Sequence, residues 1–124
     1  MPSKQNASGN TVEKSDALIS QANAAGVATL VFSGPPPGFK WKVERASVGS
    51  QQGHFTTCEV HAGAINTQNK FLTLVDVTTV PNSAVADEAS PIFVGPGQPL
   101  TFVFNGGTVG DDATARIQYV EEAL

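Results

Sequence analysis

One pattern near the C-terminus constrains the fold of this chain more than any other. In residues 95–120, GPGQPLTFVFNGGTVGDDATARIQYV, Leu100, Phe102 and Phe104 fall on one face of an extended segment, with Thr101, Val103 and Asn105 on the other. Beyond a turn running from Gly106-Gly107 to Asp111-Asp112, Ala115, Ile117 and Tyr119 alternate in the same way with Thr114, Arg116 and Gln118. A side-chain period of two in both arms is what a half-buried antiparallel hairpin requires. The segment therefore predicts a β-sandwich edge or face, and it specifies no reaction.

Length leaves room for one domain: 124 residues, burying roughly two-thirds of the surface of the unfolded chain. Charged residues make up only 15%, against 12 Gly and 8 Pro, a balance suited to short strands joined by tight turns. The net charge of −4 argues against nucleic acid, because phosphate binding needs clustered Lys and Arg. Lys40, Lys42 and Arg45 form a small basic group, read as solvated heads on the outer face of a strand.

The N-terminus lacks a charged region followed by an apolar run, so no signal peptide is expected. The longest apolar stretch, residues 27–32, is far too short to span a bilayer. Cys58 is the single cysteine, which rules out a disulfide within the chain and leaves the redox compartment open. A soluble protein made in a cytoplasm is the expectation.

The chain divides into an N-terminal arm, residues 1–26, and a body, residues 27–124. Polar residues dominate the arm up to Thr11, and nothing there builds a core. The arm is expected to be extended or partly helical. Ala17, Leu18, Ile19, Ala22 and Ala25 allow a short helix capped by Ser15 and stopped by Gly26, marginal by itself. Leu18 and Ile19 are then candidates for docking onto a partner.

The body reads as strands. The first covers residues 27–32 and is closed by SGPPPG, where proline ends the ladder. A second covers residues 39–48, with Trp41 and Val43 facing inward. Its alternation then slips to Ala46 and Val48, which a bulge near Arg45 explains. Further strands are expected over residues 55–62 and 71–79, with weaker pieces at 84–85 and 91–94. Strands at this spacing, with turn signals between them, predict an all-β fold: a single jelly-roll-like sandwich of about eight short antiparallel strands.

Candidate chemistry is thin. Cys58 and His61 stand three apart on a strand, hence on opposite faces, and are badly placed for proton transfer; Cys58 reads as a buried, inert thiol. Glu59 and His61 share a face, but with His54 in a turn no complete metal set is announced. Asp87-Glu88 and Asp111-Asp112 read as turn residues, not as a calcium loop. Neither a phosphate-cradling glycine loop nor a nucleophile elbow is present, so no enzyme, metal or cofactor is expected. Trp41, Phe39, Phe71 and Tyr119 read as core more readily than as a sugar-stacking platform. Phe39, Phe55 and Phe71 are the least explained, Phe55 falling on the face opposite Cys58; an apolar residue on an outer face points to a subunit contact.

Three segments carry a resemblance: residues 41–48 (WKVERASV), 57–63 (TCEVHAG) and 97–113 (GQPLTFVFNGGTVGDDA). They resemble small β-sandwich virion proteins of tailed bacteriophages, especially those of actinobacteria. In that pattern an aromatic precedes the Gly-Gly pair and the closing strand starts after Gly-Asp; Phe104 and Ala113 match it. The resemblance covers residues 40–120 and leaves the arm unmatched.

The resemblance implies a non-enzymatic virion structural protein, in first place a decoration or cement protein on the capsid surface. Its partners would be the major capsid protein and other copies of itself in a cyclic oligomer such as a trimer, with neither nucleic acid nor membrane involved. The contact residues expected are Leu18 and Ile19 of the arm, with Phe39 and Phe55 of the body. The alternative is a tail or fibre module that binds a host-surface carbohydrate through exposed aromatics near Phe39 and Trp41.

Overall fold

The computed structural model describes residues 11–63, 70–75, 83–86 and 91–124. These form nine strands: β1 (Thr11–Gln21), β2 (Ala28–Phe32), β3 (Phe39–Gly49), β4 (Thr57–Ala62), β5 (Lys70–Val75), β6 (Ser83–Ala86), β7 (Ile92–Val94), β8 (Leu100–Asn105) and β9 (Asp112–Ala123). One sheet has the order β1-β9-β3, with β6 and β7 end to end along the far side of β3. The other has the order β2-β8-β4-β5. All pairings are antiparallel. Counting β6 and β7 as one interrupted strand leaves eight strand positions. The chain crosses from sheet to sheet at nearly every turn, and this is the jelly-roll arrangement.

The crossings correct one expectation. The alternating arms at residues 100–105 and 112–123 are not a hairpin, because β8 pairs with β2 and β4 while β9 pairs with β1 and β3. Residues 106–111 carry the chain between sheets, a step of about 10 Å in face-to-face packing. Among the described strands, only β4 and β5 are both consecutive and paired.

The core lies between the inner faces. Leu100, Phe102 and Phe104 of β8, with Cys58 and Val60 of β4, meet Val43, Val48, Ala115 and Ile117 of the other sheet. Fully burying a side chain of this kind contributes about 1.5–3 kcal/mol, so the alternation is the main source of stability. The expected slip in β3 is present: its register against β9 shifts between Val43 and Arg45. Glu44 is the extra residue, and Val43 and Ala46 are both buried as a result. Lys40 and Arg45 are exposed, and Lys42 lies 3.9 Å from Glu44, as expected for heads on an outer face.

The arm is extended where it is described. No helix forms after Ser15; residues 11–21 instead run along β9 in unbroken register from Thr11↔Glu122 to Gln21↔Asp112. Tertiary pairing overrides a weak local helical tendency here. An eleven-residue strand satisfies its backbone along β9, whereas an isolated turn or two of helix would not sustain itself. Leu18 packs against the core of its own domain, so the segment is part of the sheet as well as of the arm.

Candidate functional site

At one end of the sandwich three connections meet. Asn23 accepts the backbone N–H groups of Ala25 and Val27 at 2.9 and 3.1 Å, shaping the β1–β2 turn. Gly26 then approaches the β8–β9 connection, where the Gly107 N–H donates to the Gly26 carbonyl at 3.0 Å. A Cβ on Gly26 would lie 2.3 Å from the Gly107 oxygen, and one on Gly107 would lie 2.5 Å from the Phe55 ring. The Gly-Gly pair is therefore set by close approach. Phe55 is 2% exposed and meets Phe104 edge-on at 5.3 Å between centroids. This corrects its expected role as an outer contact. Phe55 precedes β4 instead of belonging to it, so the alternation that placed it outside does not apply.

The same end holds a histidine–carboxylate pair. His54 Nδ1 lies 2.9 Å from Asp111 Oδ2, and the Thr108 N–H donates to that oxygen at 2.8 Å. The Thr108 bond, reinforced by His54 and opposed by partial burial, holds the Asp111 carboxyl below the usual range. A nucleophile would have to approach the free imidazole nitrogen to turn such a pair into catalytic machinery. The Ser50 hydroxyl, four residues before His54 in sequence, is buried and bonds to nothing among the described residues, so it does not complete the constellation. The pair ties the 50–56 segment to the β8–β9 connection, assisted by Gln52, whose side-chain oxygen accepts the Asp112 N–H at 2.8 Å.

Cys58 and His61 sit on opposite faces of β4. Burial, helped by the Glu59 charge, pushes the Cys58 thiol up to about 12, which leaves it un-ionised and unreactive. His61 is buried on the other face and lies 3.2 Å from Glu59. Among the described residues, no group of three or more His, Cys, Asp or Glu side chains converges on a point that could hold a metal. Asp87, Glu88 and the Phe71 side chain lie outside the described residues.

The aromatics at the other end are engaged with each other. Trp41 is 5% exposed and packs on Tyr119 with ring centroids 4.0 Å apart. Its indole N–H donates to Glu121 at 3.0 Å, and the other oxygen of Glu121 meets Lys14 at 3.0 Å. The indole bond and Lys14 hold Glu121 below the usual carboxylate range, against some desolvation. Burial pushes the Tyr119 phenol up, with Lys14 acting in the opposite direction. Neither ring offers a free face for stacking a sugar, and Phe39 is only half-exposed. A shallow, open depression nearby, about 300 Å³, is lined by polar groups including Glu13, Ser15, Glu44 and Gln118; ligand pockets are ordinarily enclosed and largely apolar.

Among the described residues, β1 is the end strand of its sheet, with Ile19 67% and Val12 43% exposed. Of the four expected contact residues only Ile19 is fully at the surface, and strand geometry places it on the face opposite Leu18. The strand character of β1 is hidden in the sequence because Lys14 and Asp16 occupy positions on the inward face. The available signal was the β-branched Thr11, Val12 and Ile19, with no Gly or Pro between Thr11 and Ala25. Comparison with known protein families, with characterised proteins and with solved structures finds no match.

Proposed function

We propose that this chain is a non-enzymatic structural protein of a virion, most simply a decoration or cement protein on the outer surface of a tailed-phage head. The observation that carries this reading is β1, eleven residues long, which among the described residues ends its sheet, exposes Val12 and Ile19 and is preceded by a polar stretch, residues 1–10. The jelly roll is one of the architectures that capsid proteins use, though a fold by itself assigns no function. The resemblance over residues 40–120 supplies the virion context. The partners on this reading are the major capsid protein and further copies of the chain.

The mechanism is avidity. Each copy adds a modest contact, and repetition over a lattice raises net affinity by about 10²–10⁴-fold where geometry allows simultaneous engagement. Binding that favours the assembled shell stabilises it by linkage.

The test is addition of the purified protein to capsid shells of the virus that encodes it, followed by sedimentation and quantitative mass spectrometry. Saturable binding at many copies per shell, weakened by removal of residues 1–10, is expected. No binding by the folded protein, or a handful of copies confined to tails, would overturn the reading; glycan binding in the latter case would identify a tail module.

A further inference from the structure

Asn105 and Gly106 form the only Asn-Gly pair in the sequence, and the fold places them where a strand gives out. Asn105 is the last residue of β8. The β2 ladder stops one residue earlier, at Ala28↔Phe104. On the other side, the Asn105 carbonyl accepts the Thr56 N–H at 2.8 Å and the Thr56 hydroxyl at 3.3 Å. A trans peptide turns its N–H away from its C=O, so the Gly106 N–H faces away from Thr56. Among the described residues no acceptor takes it. Gly106 itself is exposed, at a φ of 83°.

The position after Asn105 is closed to any larger residue. A Cβ there would lie 2.2 Å from the Thr56 hydroxyl oxygen and 3.0 Å from its methyl carbon, and the positive φ disfavours a side chain on its own account. Sterics thus fix glycine beside this asparagine, and glycine is the residue that shields its own nitrogen least. The Asn105 amide makes one bond among the described residues, donating to the Thr57 hydroxyl at 3.4 Å. That is longer than the usual range of about 2.7–3.2 Å, so the side chain is weakly tethered.

We propose that Asn105-Gly106 is a self-modifying site, where the chain converts its own asparagine to aspartate and isoaspartate with water as co-reactant. The Gly106 nitrogen attacks Cγ, the side-chain carbonyl carbon of Asn105. An N–Cγ bond forms and the Cγ–Nδ2 bond breaks. Nδ2 departs as ammonia, carrying the proton that the Gly106 nitrogen gave up, and a five-membered succinimide remains. Nothing is oxidised or reduced. Water then opens the ring. Breaking the N–Cγ bond leaves aspartate; breaking the bond from nitrogen to the main-chain carbonyl carbon leaves isoaspartate, with the main chain running through Cγ. The reacting atoms belong to adjacent residues, so the closure is intramolecular and gains the advantage of proximity without an enzyme.

The surroundings make the product felt. Isoaspartate adds a methylene to the main chain and removes from it the carbonyl that Thr56 uses. Gly107, the next link, has no slack: its N–H donates to Gly26 at 3.0 Å, and it lies against the Phe55 ring. Either product also makes the chain one charge more negative than −4. The site therefore records the age of a chain and loosens one end of the sandwich as it does so. The inference does not depend on the virion reading.

Fresh protein is held under native conditions at neutral and mildly alkaline pH, and followed by isoelectric focusing and peptide mapping. An acidic species shifted by one charge is expected to accumulate, faster at the higher pH because the attacking nitrogen must lose its proton. Mapping is expected to find isoaspartate at residue 105, and none there in Asn105→Gln. The modified fraction, separated by ion exchange, is expected to melt below fresh protein. Native protein that keeps residue 105 intact while the urea-unfolded chain is modified would overturn the proposal, because the folded geometry would then block ring closure. So would an acidic species whose new charge maps to another residue with Asn105 unchanged, or a modified fraction that melts with the fresh protein.

Discussion

Gly107 lies so close beneath the Phe55 ring that a methyl group on it would come within 2.5 Å of the aromatic carbons. The pair plugs one end of the sandwich, and Phe55 is a core residue. Truncating a buried phenylalanine costs about 3–5 kcal/mol. Phe55→Ala is therefore expected to lower the urea midpoint sharply, with any loss of partner binding following from unfolding. Equilibrium denaturation monitored by circular dichroism checks this.

Gly26 and Gly38 share a positive φ, 77° and 87°, but differ in what surrounds them. At Gly26 a Cβ would strike the Gly107 carbonyl, whereas at Gly38 nothing lies within 4 Å. Alanine in the left-handed region costs about 1–2 kcal/mol, and overpacking adds about 1–3 kcal/mol. Gly26→Ala is expected to be the more damaging by that second amount, read as the difference between the two variants in chemical denaturation.

Asp111 is held below the usual carboxylate range by the Thr108 N–H, and His54 adds to the effect. A depressed folded-state pKa means that the stabilisation is complete above the unfolded value, about 3.9. It is lost as pH falls through the folded value. Asp111→Asn is expected to melt below wild type at pH 7, with the gap closing as pH drops below the aspartate range. A calorimetric series from neutral to acid pH is the measurement; a constant gap would refute the assignment.

Trp41 is the single tryptophan, buried and bonded to Glu121 through its indole N–H at 3.0 Å. Its emission is expected to be blue-shifted and to respond when Glu121 is protonated. Because the indole and Lys14 depress the Glu121 pKa, the step lies below the ordinary glutamate value. Its stabilisation is likewise present above the unfolded pKa and lost as pH falls through the folded one. Glu121→Gln is expected to abolish the step in a fluorescence titration.

The alternation in residues 100–104 and 113–119 and the slip near Arg45 were legible because burial imposes period two on one strand at a time. Which strands are neighbours was not, and so β8 and β9 read as a hairpin while lying in different sheets. Pairing is a relation between distant segments, and no local pattern records it. β1 was missed for a related reason. Lys14 and Asp16 occupy its inward face, so the apolar stripe that announces a strand is absent, and its partner, β9, lies about a hundred residues away, the last of the described strands. An experiment that deletes residues 1–26 would therefore remove a sheet strand along with the arm.

The pairing of Thr11 with Glu122 has a consequence for how this protein is made. Synthesis delivers the N-terminus first, so β1 leaves the ribosome long before the strand that completes it exists. Its sheet cannot close until β9 has emerged. Contacts this distant in sequence slow folding. The first of the described strands to be made is thus among the last to find its place, and until then it lacks its partner in a crowded solution.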